Sequence, residues 1–276
     1  MSSQSAGRGR TVGTYLGLGL LAAILLFPLY YGIAGSLMTQ SQLARYPVAF
    51  FPSRFKVSNF ADVFKIIPLL RQYGNSAFVT IAVTVGQVVT AVLSAYAFAF
   101  LRMPRRGALF ALFLVTMMIP GEAIIIPNYL TMAGAGLINT YWALVLPFLA
   151  AGFGTFLLRQ SFLTFPSELR DAATMDGCGH LAFLWRILLP LSRPALATLS
   201  IFVFLSTWNQ YFWPLLVTRT PQMQTLQIGI SQLQSVDANN ENIVLAGVVL
   251  ALIPTLVLIY AGQRHIVRGL TSGALK

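Results

Sequence analysis

The chain has 276 residues, of which 57% are hydrophobic and only 9% charged. Soluble domains carry roughly a quarter of their residues as charges, so a water-soluble globule is excluded and the bilayer is the expected solvent. The formal net charge of +11 then belongs to loops at the membrane surface rather than to a nucleic-acid interface, because basic residues of membrane proteins collect on cytoplasmic loops.

Residues 1–12, rich in Ser, Gly and Arg, read as a mobile cytoplasmic tail, and 13–276 as a single membrane domain. Asp, Glu, Lys and Arg are absent between Arg10 and Arg45, Arg71 and Arg102, Arg193 and Arg219, and Glu241 and Arg264. Between Arg106 and Arg159 the only charge is Glu122. A membrane helix needs about 20 apolar residues. The charge-free stretches therefore predict six spans, at about 13–37, 74–100, 108–131, 138–158, 195–217 and 243–262. The first is too long for the apolar core of a signal peptide, and no small-residue cleavage site ends it. The expected fold is an all-α polytopic membrane protein.

With the first residue inside, cytoplasmic segments hold 12 Lys and Arg and outer segments hold 6. This bias predicts that both termini and the loop 159–194 are cytoplasmic. The outer segment 38–73, with Pro47, Pro52 and Pro68, holds a short amphipathic piece over 59–64. Arg102-Met103-Pro104-Arg105-Arg106-Gly107 forms a tight basic turn on the inside. The single Cys178 permits no intrachain disulfide, and His180 and His265 have no Cys partners at metal-ligand spacing.

The loop 159–194 breaks the apolar pattern with a polar, Gly-punctuated segment, ELRDAATMDGCGHLAFLWRILLP over 168–190. Pro166 suits the first turn of a helix, and Glu168 and Asp171 suit its positive N-terminal end. Gly177 suits a left-handed C-cap. A short helix is predicted over about 166–177, followed by a second helical stretch from His180 to Pro190. Leu169, Ala172, Ala173 and Asp176 share one face of the first helix. Its two alanines allow another protein to approach the backbone closely, Leu169 offers an apolar knob, and Asp171 beside the face offers a charge. An ordinary amphipathic loop helix is the plainer alternative.

Asp171-Ala172-Ala173, Asp176-Gly177, Ile187 and Leu189-Pro190 at this spacing closely resemble the "EAA" coupling loop of ABC importer permeases. That family usually has Glu where this chain has Asp171, which keeps the charge on a shorter arm. Met118-Ile119-Pro120, Pro127-Asn128-Tyr129, Gly136-Leu137-Ile138-Asn139-Thr140 and the segment Trp208–Pro214 resemble carbohydrate-uptake permeases of the MalG-like family. So does the tail Gly269–Ala274. Within these, Pro120-Gly121-Glu122, Trp208-Asn209-Gln210-Tyr211 and Gln263–Leu270 are most similar to the glycerol-3-phosphate permease branch. The resemblance implies a type I importer fold. It also implies a second permease subunit, two ATP-binding subunits that hold ATP and Mg, and an extracytoplasmic solute-binding protein in the cell inner membrane. It implies that Leu169, Asp171, Ala172, Ala173, Asp176 and Gly177 couple to the ATPase.

Glu122 is the one acid inside an expected span, about 22 Å from Gly107 if the helix is continuous. A carboxylate there must be paired or wet, and Pro120, Gly121 and Pro127 suggest a broken helix lining protein or a water-filled path. Asn128, six residues further on, is a further candidate. Trp208, Asn209 and Gln210 are expected at mid-span, where the amides either bond a neighbouring helix or bind hydroxyls of a sugar while the ring stacks on it. No Lys follows a Gly, so the Walker A loop is absent and ATP hydrolysis falls to a partner. A secondary transporter is the alternative, though one buried acid is little for ion coupling. An intramembrane enzyme is weaker still, with no His, Asp pair or G-x-S-x-G elbow in the spans.

Overall fold

The computed structural model describes residues 3–236 and 240–271, and among them every regular element is helical. In chain order the α-helices are α1 (Ser3–Ser36), α2 (Gln40–Leu43), α3 (Ser58–Ile66), α4 (Leu69–Phe100), α5 (Arg106–Val115), α6 (Ile125–Gly134), α7 (Tyr141–Val145) and α8 (Gly152–Leu163). They continue as α9 (Ser167–Met175), α10 (His180–Phe183), α11 (Leu189–Leu191), α12 (Arg193–Trp208), α13 (Phe212–Val217), α14 (Leu226–Val236) and α15 (Glu241–Thr271). The first helix begins at Ser3 and takes in most of the stretch expected as a tail.

Three segments are long and apolar enough to cross a bilayer alone: Gly13–Ser36, Leu69–Phe100 and Glu241–Gln263. Three more crossings are available only as bent pairs: Arg106–Met118 with Gly121–Gly134 at 91°, Tyr141–Phe148 with Gly152–Leu163 at 43°, and His180–Leu191 with Arg193–Trp208 at 80°. By length and composition the chain thus offers up to six crossings, three as single long helices and three as bent pairs, in keeping with the expected count of six.

Each break has a local cause. Ile119 is extended (φ −80°, ψ 118°), as a residue before proline prefers, and Pro120 supplies no N–H to continue the helix. Ala151 is extended before Gly152. Ahead of Ser192, residues Leu184–Leu188 form a π-helical turn, and the chain then carries Pro190 and Pro194 on either side of the bend. The expected span 195–217 stops early for a related reason. Helix α12 ends at Trp208, and the chain restarts at Phe212.

The described residues form two compact units, residues 3–68 with 230–236 and 240–253, and residues 69–229 with 254–271. In the first, Asn59 is fully buried. Its Nδ2 donates to the carbonyls of Ser36 and Met38, each at 2.8 Å. Its Oδ1 accepts from Asn242 Nδ2 at 2.7 Å. One amide thus satisfies the carbonyls that α1 leaves open at its C-terminal end and ties α1, α3 and the start of α15 together.

The second unit is built on α4, α8 and α12, whose buried side chains include Val83, Ala91, Ala95, Leu158, Phe162, Leu199 and Val203. Small residues bring these helices close. A Cβ at Gly154 would stand 3.0 Å from the Ala91 Cβ and 3.3 Å from Leu199. The C-terminal end of α4 is capped by two arginines: Arg106 of the basic turn donates through Nη1 to the Ala99 carbonyl at 3.2 Å, and Arg159 on α8 through Nε to the Phe98 carbonyl at 3.4 Å. Cations at a helix C-terminus also meet the negative end of its dipole. The Arg159 guanidinium lies 3.9 Å over the Phe110 ring.

Candidate functional site

The loop between α8 and α12 is held in place from below by aromatic packing. Phe183 meets Phe165 edge-on at 5.7 Å and Phe100 edge-on at 5.7 Å. Tyr96 Oη and His180 Nδ1 are hydrogen-bonded at 2.8 Å, joining the loop to the C-terminal end of α4. These contacts lay outside the sequence reading, because nothing local marks a Tyr and a His 84 residues apart as partners.

Helix α9 sits on this platform, starting one residue later and ending two residues earlier than the expected 166–177. Pro166 is the N-cap rather than the first helical residue, and Glu168 occupies the first turn. At the other end Gly177 has φ +73°, which a Cβ disfavours. Its N–H bonds the Thr174 carbonyl at 3.1 Å, and the Cys178 N–H bonds the Ala173 carbonyl at 2.9 Å. This pair of bonds is a Schellman cap.

The predicted face needs one correction. Ala173 is not presented outward; it is 6% exposed and belongs to the hydrophobic core with Phe183, Leu184 and Leu188. Leu169 (45% exposed), Asp171, Ala172 and Asp176 are on the surface, and so is Met175, at 88%, which the sequence reading passed over. At 100° per residue Ala173 marks the anchored side, Glu168, Asp171 and Met175 lie opposite it, and Leu169, Ala172 and Asp176 run along one exposed flank. Asp171 Oδ1 is 3.8 Å from Arg170 Nε, and both side chains are exposed. Such a pair contributes little, so Asp171 can exchange Arg170 for another cation.

The pathway candidates do not form one cluster. Glu122 is exposed in the 3-10 turn Gly121–Ile124, at the 91° bend. The depth counted along a continuous helix therefore does not hold. Asn128 is half-buried on α6. Trp208 is 3% exposed, stacked on Phe204 at 5.8 Å and tilted against Tyr73 at 5.8 Å. Its ring is packed rather than offered to a solute. Asn209 is the C-cap of α12, and its Nδ2 donates to the Leu205 carbonyl at 2.8 Å. It is exposed and Gln210 half-exposed, at a helix end and not at mid-span. Trp213 is buried, with Nε1 donating to the Ala143 carbonyl at 2.9 Å, whereas Trp142 is 61% exposed. Residues 272–276, and the side chains of Arg264 and Arg268, lie outside the described set, so the last part of the tail motif is without a structural reading.

Six potential crossings, a short capped helix on one loop and no nucleotide loop in the sequence describe a transport component. Residues 87–272 match the family described as the binding-protein-dependent transport system inner membrane component. The chain belongs to this family. It is 38% identical over 256 residues, covering 90% of this chain and 91% of the relative, to the sn-glycerol-3-phosphate transport system permease protein UgpE of Brucella abortus (strain 2308). It is 35% identical over 271 residues, 95% and 96% of the two chains, to the protein of that name in Yersinia pestis bv. Antiqua (strain Antiqua). Its fold is similar to that of a bacterial ABC transporter involved in the import of the acidic polysaccharide alginate, with a TM-score of 0.84, 26% identity and coverage of 96% and 98%. A second similar structure, at TM-score 0.64 and 17% identity over 94% and 97% of the chains, is the bacterial alginate ABC transporter in complex with alginate pentasaccharide-bound periplasmic protein. The chain is thus a multi-pass inner-membrane permease subunit of an ABC importer, not an enzyme, and the secondary-transporter alternative falls away.

Proposed function

We propose that this permease forms half of the pathway of an importer for sn-glycerol-3-phosphate and is driven through α9 by a partner ATPase. A second permease completes the pathway, two ATP-binding subunits hold ATP and Mg, and an extracytoplasmic binding protein delivers the solute. Both termini and α9 face the cytoplasm. Residues 13–276 act as one permease domain.

The observation that supports the coupling role is the build of α9: one side fixed in the core through Ala173, the C-terminal end closed by the Schellman cap, and the other side open. Leu169 and Met175 are the apolar anchors, Ala172 admits a close approach, and Asp171 and Asp176 pair with partner cations. Burying Leu169 in a partner groove contributes about 2 kcal/mol. A helix held this way passes a rigid-body movement of the ATPase to α4 and α8. Gly177 keeps its C-terminal end in register.

The solute assignment rests on the relatives named above. A phosphate ester wants cations on its route. Helices α4 and α8 each carry one arginine near an end: Arg71, bonded through Nε to the Gln222 carbonyl at 3.2 Å, and Arg159, engaged with Phe98 and Phe110. The second permease therefore supplies the phosphate-binding charge. Glu122, Asn128, Asn209 and Gln210 line the polar side of the route, and Trp208 shapes it by packing. Deleting the chain should abolish uptake of labelled glycerol-3-phosphate while sugars still enter. If glycerol-3-phosphate uptake persists and a sugar, amino acid or peptide fails to enter instead, the assignment is wrong.

A further inference from the structure

A cavity of about 440 Å³ lies beside α9, between it and the C-terminal end of α4. That volume falls in the range of small-ligand sites. Its polar lining comes from Tyr96 and Arg102 on the α4 side and from Arg170, Thr174, Cys178 and His180 on the loop side. Two guanidinium groups, an imidazole and two hydroxyls converge there, and no carboxylate lines it among the described residues. Asp171, the nearest acid on the same helix, meets Arg170 only at 3.8 Å.

Arg170 and Thr174 lie four residues apart, on one side of α9. The proposed ATPase face, centred on Ala172 and Asp176, points away from them, so docking of a partner on that face leaves the cavity its own wall. Tyr96 and His180 are already bonded to each other at 2.8 Å, which fixes the floor. Both arginines are exposed, so neither is committed to the core.

We infer that this cavity binds a phosphate dianion, free or carried on a small monoester, which bridges Arg102 to Arg170 and so clamps α9 against the end of α4. Guanidinium groups suit phosphate because their planar N–H pairs match two of its oxygens. The second ring nitrogen of His180 can donate to a third, while the Thr174 hydroxyl is held by the Arg170 carbonyl at 2.9 Å. The inference goes beyond the transported solute, since it needs no passage of the ligand across the membrane.

Cys178 lines the cavity and is the single cysteine of the chain, which makes it a local reporter. The purified importer complex would be alkylated with N-ethylmaleimide, and the Cys178 peptide of this chain followed by mass spectrometry. Inorganic phosphate, glycerol-3-phosphate and chloride would be compared at equal ionic strength. Inorganic phosphate should slow alkylation of Cys178 saturably, and chloride should not. Arg102→Gln and Arg170→Gln should each shift the protecting concentration upward about tenfold, the loss of one charge-assisted contact. Equal protection by both phosphate compounds assigns the site to the phosphate group alone, and stronger protection by the monoester assigns it to the ester. Protection that chloride matches, or that survives both arginine substitutions, overturns the inference. Arg102 lies on an exposed turn, so its variant folds even if Arg170→Gln disturbs α9.

Discussion

Helix α9 and the bend at 119–124 both interrupt an apolar stretch, and they are built in opposite ways. Helix α9 is polar, capped at its C-terminal end by two backbone bonds, and pinned by Ala173 to a core of Phe183, Leu184 and Leu188. The bend is apolar apart from Glu122, is broken by Pro120, and exposes Met118 (80%), Ile119 and Ile126. The first interruption is finished within the chain, and the second waits for neighbours. On the proposed function this is the difference between a lever, which must be stiff before its partner docks, and a pathway wall, which a second subunit completes.

The largest test of this contrast is at Gly177. A Cβ there would meet no atom within 4 Å, so any penalty is conformational and not steric. Gly177→Val places a β-branched residue at φ +73°, which costs about 1–2 kcal/mol and misdirects the end of α9. Transport and solute-stimulated ATPase activity should fall more than about tenfold with insertion intact. Gly177→Asn, which tolerates the left-handed region, should keep most activity. Equal activity in the valine variant would remove α9 from the mechanism.

A pair of substitutions separates the two sides of the helix. Ala173→Leu overpacks the core and should cost about 1–3 kcal/mol of stability, seen as a lower melting temperature of the detergent-solubilised protein. Ala172→Leu should leave that temperature unchanged and lower the ATPase activity of the assembled importer. The reverse result would mean that the anchored and open sides are exchanged.

How far these regions could be read from the sequence differs for physical reasons. Helix α9 was legible because its signals are local: Pro166, Glu168, the Ala pair and Gly177 all act within a few residues. Ala173 was misread as part of the open face, since periodicity finds a stripe without saying what covers it. The six apolar stretches were legible from the missing charges. Their bends, apart from that at Pro120-Gly121, were not read, because Gly152, Pro190 and Pro194 mark a place where a helix can break without fixing that it does or by what angle. Trp208 and Asn209 were placed at mid-span by counting apolar residues through to 217, whereas α12 stops at Trp208. The Tyr96–His180 bond and the cavity above it come from residues distant in the chain, beyond any spacing rule.

At the bend, Glu122→Gln should reduce transport several-fold, as expected for a lone acid on the proposed solute route, without moving the melting temperature, because Glu122 is exposed. A drop in thermal stability would instead make Glu122 part of the fold. Asn209→Leu should have the smallest effect. Its amide bonds its own helix at Leu205, and one such bond in a membrane is worth about 0.6 kcal/mol, or about threefold in transport. Affinity of the binding protein for solute should not change.

The most direct test of the account is a scan of α9 with a photo-cross-linking amino acid in the assembled importer. Positions Leu169, Ala172 and Met175 should cross-link to the ATP-binding subunit, and Thr174, on the cavity side, should not. Cross-links from Thr174 alone, or from these positions only to the extracytoplasmic binding protein, would contradict the claim that the open side of α9 is the ATPase dock.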